Sequence, residues 1–142
     1  MKKMMTMITK RKDRCKMNKT YNLIKEIIES WKYKVVEDNG EQIIIRYQMN
    51  TIHFCPNSGD ETFVSVILPN FDDVDEDNYS EVVMRCHKLN EKMKQIKFYT
   101  VDDVIIAASE FFYKEKEDLE FQMKLSLNNL IEAKVSYRNF DK

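Results

Sequence analysis

The tripeptide Asp38-Asn39-Gly40 constrains the fold more than any other feature of the sequence, because it separates two stretches rich in β-forming residues. These stretches are residues 33–37 and residues 42–48. Asn-Gly between two such stretches is the strongest short-range signal for a β-hairpin, since both residue types tolerate positive φ. The sequence therefore predicts a pair of adjacent antiparallel strands in the first third of the chain.

Four more strands are predicted from short runs of β-branched and aromatic residues bounded by turn formers. A third strand at residues 51–55 follows a tight turn, and a fourth at residues 62–68 is ended by Pro69. Residues 98–101 and 104–113 are predicted to form a second hairpin across an Asp-Asp turn. Short loops force strands that follow one another in this way to be antiparallel.

Three amphipathic helices are predicted from apolar residues at spacings of three and four. The first starts at Thr20, taken as its N-cap, and runs through Trp31. The second spans residues 79–96, and the third spans residues 115–137. The resulting order, α-β-β-β-β-α-β-β-α, predicts an α+β domain in which helices pack on an antiparallel sheet.

Length and composition favour one ordered domain without a membrane anchor. The chain has 142 residues, 43% of them hydrophobic, with two glycines and two prolines, which favours a packed core over a disordered chain. No stretch approaches the ~20 apolar residues of a membrane helix, and residues 4–8 are too short for a signal peptide. Cys15, Cys55 and Cys86 show no paired spacing, which favours reduced thiols. We therefore expect a cytoplasmic protein.

Charge divides the chain into a basic leader, residues 1–19, and an acidic domain, residues 20–142. The leader holds eight Lys or Arg residues against Asp13, a net charge of +7, whereas the remainder carries −8. We expect a flexible leader, and the sequence from Met17 also has the character of a translation start. An acidic domain repels phosphate backbones, so neither a specific nucleic-acid partner nor a membrane partner is expected. An adaptor that binds nucleic acid or membrane through the basic leader is an alternative.

The acidic segment that follows the fourth strand could be a calcium loop or the start of a helix. Asp73, Asp75 and Asp77 alternate as the ligands of an EF-hand loop do. That loop also needs Gly at its sixth position and Glu at its twelfth, where this sequence has Asn78 and Met84. The helix dipole favours acidic residues at a helix start. We therefore predict a helix start and no metal site.

No constellation of catalytic residues is apparent. His53 and Cys55 share one strand face, and Cys86 and His87 are neighbours on a helix. Together these two pairs supply four nitrogen or sulfur ligands, the number that a zinc site needs. Adjacent helical residues point about 100° apart, so the second pair is poorly placed to bind one ion. A Cys-His nucleophile lacks an identifiable orienting group and oxyanion hole. We predict no enzyme and no cofactor; a small enzyme that uses Cys55, His53 or carboxylates is the alternative.

The strands carry apolar side chains on both faces of the predicted sheet. In the fourth strand, Val64 and Val66 lie on one face and Phe63 and Ile67 on the other, and the sixth strand alternates similarly. A sheet with one solvated face should be polar there. The three helices could cover both faces; if they lie on one, the other must contact a second copy or a bound polypeptide. The predicted contact residues are Phe63, Ile67, Phe111 and Tyr113.

The stretch from residue 31 to about residue 137 resembles the YbjN-like domain family, whose fold is that of the type III secretion chaperones. The resemblance rests on WKYKVVEDNGEQIIIRYQ after an amphipathic helix and on TFVSVILPNF before the acidic segment. It also rests on MRCHKLNEKMKQIKFYTVDDVIIAASEFFY and on the closing helix. In such proteins the middle helix carries an Asn followed by a hairpin, and here Asn90 and IKFYTVDDVIIAASEFF match that pattern.

This resemblance implies a secretion-chaperone-like fold and a noncatalytic role. It implies a bacterial protein-binding or regulatory module that is homodimeric, has no cofactor, and holds a protein client or a second copy of itself. The secretion chaperones bind extended segments of client proteins against apolar sheet and helix surfaces. We expect the same kind of contact here, although a shared fold does not identify a client.

Overall fold

The computed structural model describes residues 18–141, and within them the predicted order of helices and strands is confirmed. The predicted basic leader, apart from its last two residues, lies outside the described residues. The elements in chain order are α1 (Lys19–Trp31), β1 (Val35–Asp38), β2 (Ile43–Tyr47), β3 (Asn50–Pro56), β4 (Phe63–Leu68), α2 (Tyr79–Lys92), β5 (Ile96–Val101), β6 (Val104–Phe112) and α3 (Lys116–Arg138).

The strands of the described region form one six-stranded sheet of order β1-β2-β3-β4-β6-β5. Every neighbouring pair is antiparallel, as the short loops require. The chain leaves the sheet after β4 and returns through α2 and β5, so that β6 pairs directly with β4. The predicted fold class, α+β with helices packed on an antiparallel sheet, is thereby confirmed.

The Asn-Gly signal marks the turn between β1 and β2, as predicted. The side-chain carbonyl of Asn39 accepts hydrogen bonds from the backbone N–H groups of Glu41 and Gln42, both 2.9 Å long. Gly40 has φ 84°, in the left-handed region that a residue without Cβ enters at little cost. Asn39 is not in that region, so glycine alone supplies the positive φ of this turn.

Helix α1 begins earlier than predicted. The side chain of Asn18 accepts a hydrogen bond of 3.0 Å from the Tyr21 N–H, so Asn18 and not Thr20 is the N-cap. Thr20 is fully buried, and its hydroxyl contacts the Glu61 carbonyl and the Tyr113 hydroxyl. The start of α1 is therefore attached to the end of the sheet at which β4 begins and β6 ends.

Helix α2 ends earlier than predicted. It stops at Lys92, and Ile96, predicted as the last helical residue, begins β5 instead. Met93 is extended and Gln95 has φ 67°, so the chain turns back along the sheet between the two elements. Ile96 is buried in the strand, which shows that an apolar residue at helical spacing need not belong to the helix.

The three helices of the described region pack against the same face of the sheet. One continuous hydrophobic core joins buried residues of each helix with alternate residues of the strands. The buried strand residues on this face are Ile43, Ile45, Ile52, Phe54, Val64, Val66, Leu68, Ile96, Phe98, Ile105, Ala107 and Phe111. Within residues 18–141, no helix covers the opposite face. Of the two arrangements considered from the sequence, helices on both faces or helices on one face, the described residues show the second.

Candidate functional site

The sheet face turned away from the helices, here called the open face, consists of the alternate strand residues that do not enter the core. One row crosses the whole sheet in the order Glu37, Ile44, His53, Ile67, Ala108 and Lys97. Further members are Cys55, Phe63, Ser65, Tyr99, Val101, Ile106, Glu110 and Phe112. The open face therefore mixes apolar side chains with single charged and polar ones.

Phe63 and Phe112 form the most exposed apolar feature of the open face. They lie directly opposite each other on β4 and β6, with ring centroids 4.9 Å apart. Phe112 is 63% exposed, and the partly exposed Ile67 and Ile106 continue the apolar surface along the same strands. An aromatic ring this exposed gains little from the fold of the monomer and is typical of a contact surface when apolar neighbours adjoin it.

The structure divides the four predicted contact residues between the two faces of the sheet. Phe63 and Ile67 lie on the open face and are partly exposed. Phe111 and Tyr113 are each 8% exposed and belong to the core, so their predicted accessibility to a partner is wrong. The physical reason is the strand register, since Phe111 lies opposite Val64 and both side chains point to the helices.

Phe112 is an open-face aromatic residue that sequence reasoning missed. Alternation along β6 is visible in the sequence, but which set of residues joins Phe63 depends on the register between β4 and β6. Because α2 and β5 separate these two strands in the chain, no turn fixes that register. The favoured cross-strand contact between two aromatic rings is the signal that could have identified Phe112.

A polar row crosses the open face beside the aromatic pair. Glu110 accepts a hydrogen bond from the Ser65 hydroxyl at 3.2 Å, and its second oxygen lies 2.7 Å from the Lys97 Nζ. The hydrogen bond to Glu110 raises the pKa of Lys97, so this ammonium stays charged. The row places charged groups next to apolar ones, and protein-contact surfaces combine the two in this way.

His53 and Cys55, the residues considered for catalysis, converge on Gln42. The His53 Nδ1 lies 3.1 Å from the Gln42 Oε1, and the Cys55 Sγ donates to the same oxygen at 3.5 Å. Burial lowers the pKa of His53 against an opposing effect of Glu37, and burial raises the pKa of the Cys55 thiol to about 11. Because the thiolate is the reactive form, the protonated Cys55 is a poor nucleophile near neutral pH.

The second Cys-His pair does not join the first. Cys86 is buried in the core, whereas His87 is exposed and lies 3.3 Å from Glu91 on the same helix. In residues 18–141, no group of three or more His, Cys, Asp or Glu side chains is placed to hold a metal ion. Over the same part of the chain, no helix is both long and apolar enough to cross a membrane.

The acidic segment ends where α2 begins, in agreement with the predicted helix start. The Asp75 N–H donates to the Asn78 Oδ1 at 2.8 Å, and the Asn78 N–H donates to the Asp75 Oδ1 at 2.9 Å. The Asn78 side chain also donates to the Asp73 carbonyl at 3.1 Å. These hydrogen bonds stabilise a turn that ends at Tyr79, the first helical residue of α2.

The two outer strands of the sheet differ in how their backbones are paired. On β5, the Asn90 side chain of α2 donates to the Phe98 carbonyl at 3.1 Å and accepts from the Phe98 N–H at 2.7 Å. A side-chain amide thus takes the place of a neighbouring strand. All four residues of β1, at the other edge, are exposed. An exposed edge strand is a position at which a further strand can pair.

Comparison with known proteins identifies the fold. No protein-family model and no curated protein sequence matches the chain. The crystal structure of YbjN from E. coli, a proposed transcription regulator, matches with a TM-score of 0.68 at 5% identity, covering 84% of this chain and 92% of that chain. An uncharacterized protein from Methanothermobacter thermautotrophicus matches with a TM-score of 0.56 at 11% identity, covering 84% and 97%.

A third structure is a secretion chaperone. The Yersinia pestis type III secretion chaperone SycH, crystallised in complex with a stable fragment of YscM2, matches with a TM-score of 0.57 at 13% identity. The match covers 83% of this chain and 98% of that chain. At these identities the similarity concerns the fold alone. The chain has the fold shared by YbjN and this type III secretion chaperone, which confirms the fold that the sequence resemblance implied.

Proposed function

We propose that this protein is a noncatalytic protein-binding module that acts in the cytoplasm, with the open face as its contact surface. The observation that carries the proposal is the aromatic pair of Phe63 and Phe112, which lies on a sheet face that no described helix covers. The occupant is a segment of another protein or a second copy of this chain. We propose a regulatory role in this sense: binding at the open face would control the activity of the bound partner.

The chemistry of the open face suits a polypeptide. The aromatic pair and Ile67 offer apolar surface, whose burial stabilises a complex by roughly 25 cal/mol per Å². Glu110 and Lys97 offer an acceptor and a donor to the polar groups of a partner. A polypeptide provides both kinds of complement along an extended stretch. The protonated Cys55 and the lone histidine beside it favour binding over catalysis.

The solved structures support the same kind of role. SycH is a secretion chaperone crystallised with a fragment of another protein, and YbjN is a proposed transcription regulator. Neither name describes an enzyme. A protein client for this chain is therefore the favoured occupant, and homodimerisation through the open face is the second.

Aspartate at position 112 tests the proposal. Phe112→Asp places a charge in the apolar contact, and since Phe112 is 63% exposed, the monomer should keep its fold. Phe121→Asp is the matched control, because Phe121 is 64% exposed but lies on α3, on the other side of the sheet. Light scattering measures self-association, and co-purification from the native host measures partner binding.

We expect Phe112→Asp to weaken the association about tenfold or more, as the loss of a central aromatic contact does. Phe121→Asp should bind as the unaltered chain does. If Phe112→Asp and the unaltered chain associate equally, the open face is not the contact surface and the proposal is wrong.

A further inference from the structure

We propose that a cavity beside Lys134 binds a small organic anion that has one carboxylate group and an apolar part. The cavity lies where the β2–β3 turn and the end of β4 meet α3. Its volume is about 380 Å³, at the lower end of the range for small-molecule sites. Phe63 starts β4 and the cavity lies at its other end, so the inference goes beyond the proposed function of the open face.

The ammonium group of Lys134 supplies the positive charge of this site. Its Nζ donates a hydrogen bond of 2.6 Å to the Asn50 Oδ1, which is a neutral acceptor. None of the ion pairs formed within residues 18–141 includes Lys134. An ammonium group has three N–H donors, so two remain for a ligand. The site therefore offers both charge and hydrogen bonds to an anion.

The surroundings of Lys134 favour an added negative charge. Burial lowers the pKa of Lys134, and the guanidinium of Arg138, one helical turn further on, lowers it as well. Both effects disfavour the charged ammonium. A bound carboxylate would act in the opposite direction, because an opposite charge within about 4–6 Å favours the charged form. An anion in the cavity would thus offset an electrostatic cost that the described residues leave in place.

The β2–β3 turn holds the acceptor of Lys134 in place through a strained backbone. Gln48 and Met49 have φ 48° and 66°, a region that residues other than glycine and asparagine rarely adopt. The Asn50 side-chain N–H donates to the Gln48 carbonyl at 2.8 Å, and its oxygen accepts from Lys134. A carbonyl only accepts and an ammonium only donates, so both contacts require this orientation of the amide. Strained residues of this kind cluster at ligand sites.

The remaining walls of the cavity indicate the apolar part of the ligand. Met49 is 94% exposed, so its side chain gains almost nothing from the fold and is available to cover an apolar group. Pro69 and Phe71 add further apolar surface. One ammonium matches one negative charge, whereas phosphate carries nearly two and favours several charged donors. The lining therefore favours a monocarboxylate with an aliphatic or aromatic group.

NMR titrations with acetate, 3-methylbutanoate and phenylacetate at constant ionic strength test the proposal. We expect the side-chain amide signals of Asn50 and the backbone amide signal of Thr51 to shift. The Kd of phenylacetate should be a few mM, on the order expected for about ten non-hydrogen atoms. Acetate, which lacks the apolar part, should bind about tenfold more weakly, and 3-methylbutanoate should lie between the two. Phenylacetamide, which has the shape without the charge, and inorganic phosphate should each bind about tenfold more weakly than phenylacetate.

Lys134→Met removes the charge and keeps the length of the side chain. It should weaken the binding of phenylacetate about tenfold or more and leave the weak binding of phenylacetamide unchanged. Lys124→Met, an exposed change on the same helix, is the matched control and should bind as the unaltered chain does. If Lys134 only stabilised the fold, its replacement would affect both ligands equally.

Met49→Gly separates binding from stability. Glycine enters the positive-φ region at little cost, so the urea midpoint of unfolding should stay the same or rise. Loss of the Met49 side chain should weaken the binding of phenylacetate about threefold or more and leave that of acetate unchanged. Equal affinity of Met49→Gly and the unaltered chain for phenylacetate would contradict the apolar wall.

Four results would each overturn the proposal. They are no shift at Asn50 with about 50 mM phenylacetate, equal affinity for phenylacetate and phenylacetamide, tighter binding of phosphate, and full affinity after Lys134→Met. Phe112→Asp should keep the affinity for phenylacetate, because the cavity and the aromatic pair lie at different ends of β4. Failure of the cavity proposal and failure of the proposed function of the open face are therefore distinguishable.

Discussion

Phe111 and Phe112 show how one step along β6 separates the core from the open face. Phe111 is 8% exposed and packs in the core, whereas Phe112 is 63% exposed beside Phe63. Truncation of a core aromatic removes contacts and leaves a cavity, so Phe111→Ala should lower the free energy of unfolding by about 3–5 kcal/mol. Phe112→Ala should lower it by less than about 1 kcal/mol. Urea unfolding measures both, and equal losses would contradict the β4–β6 register.

Cys55 provides a residue-scale test of the enzyme alternative. Burial raises the pKa of its thiol from 9.0 to about 11, which reduces the thiolate fraction at pH 8 about a hundredfold. In a Cys15→Ser chain, we therefore expect a thiol reagent to modify Cys55 about a hundredfold more slowly than a free thiol. Addition of denaturant should remove the difference. Rapid modification of one thiol in the folded chain would instead support a reactive cysteine.

At the scale of the elements, Asn90 attaches α2 to the outer strand β5. Its side chain hydrogen-bonds both the N–H and the carbonyl of Phe98, which would otherwise lack a strand partner on that side. Asn90→Ala should lower the free energy of unfolding by about 1–3 kcal/mol, because it leaves these backbone groups unpaired. His87→Ala, an exposed change on the same helix, is the control and should have little effect.

Hydrogen exchange then locates the effect of Asn90→Ala. The amide of Phe98 should exchange faster in this variant than in His87→Ala, whereas the amide of Val66 in the middle of the sheet should be protected equally in both. If Asn90→Ala changes neither the stability nor the exchange at Phe98, the side-chain amide does not take the place of a strand.

Local signals explain which elements the sequence predicts correctly. The Asn-Gly turn and the alternation along β4 depend on neighbouring residues, so the sequence alone reveals them. The choice between Asn18 and Thr20 as the N-cap of α1 depends on distant residues, because the Thr20 hydroxyl contacts Glu61 and Tyr113 and is not free to cap the helix. The start of β5 at Ile96 likewise depends on pairing with β6.

The candidate site is predictable in part for the same reason. Phe63 and Ile67 follow from alternation within β4, which is a property of one strand. The choice between Phe111 and Phe112 depends on how two strands align that are not joined by a turn, and only the structure supplies that alignment. The family resemblance singles out Asn90, but the two hydrogen bonds between its side chain and Phe98 are visible only in the structure.

At the scale of the whole molecule, the size of the open face limits what it can bind. Six strands about 4.8 Å apart and about 20 Å long give a face of roughly 500 Å². A stable protein interface buries about 800 Å² per partner. The open face alone therefore supports a transient complex, and a stable one would also use the exposed edge strand β1.

Photocrosslinking in the native host tests most directly whether the open face contacts protein. A photoreactive phenylalanine analogue replaces Phe112 in one chain and Phe121, the equally exposed residue of α3, in another. We predict that position 112 crosslinks to one discrete protein, or to a second copy of the chain, identified by mass spectrometry, and that position 121 does not. Crosslinks from position 121 alone, or the same products from both positions, would contradict the assignment of the open face as the binding surface.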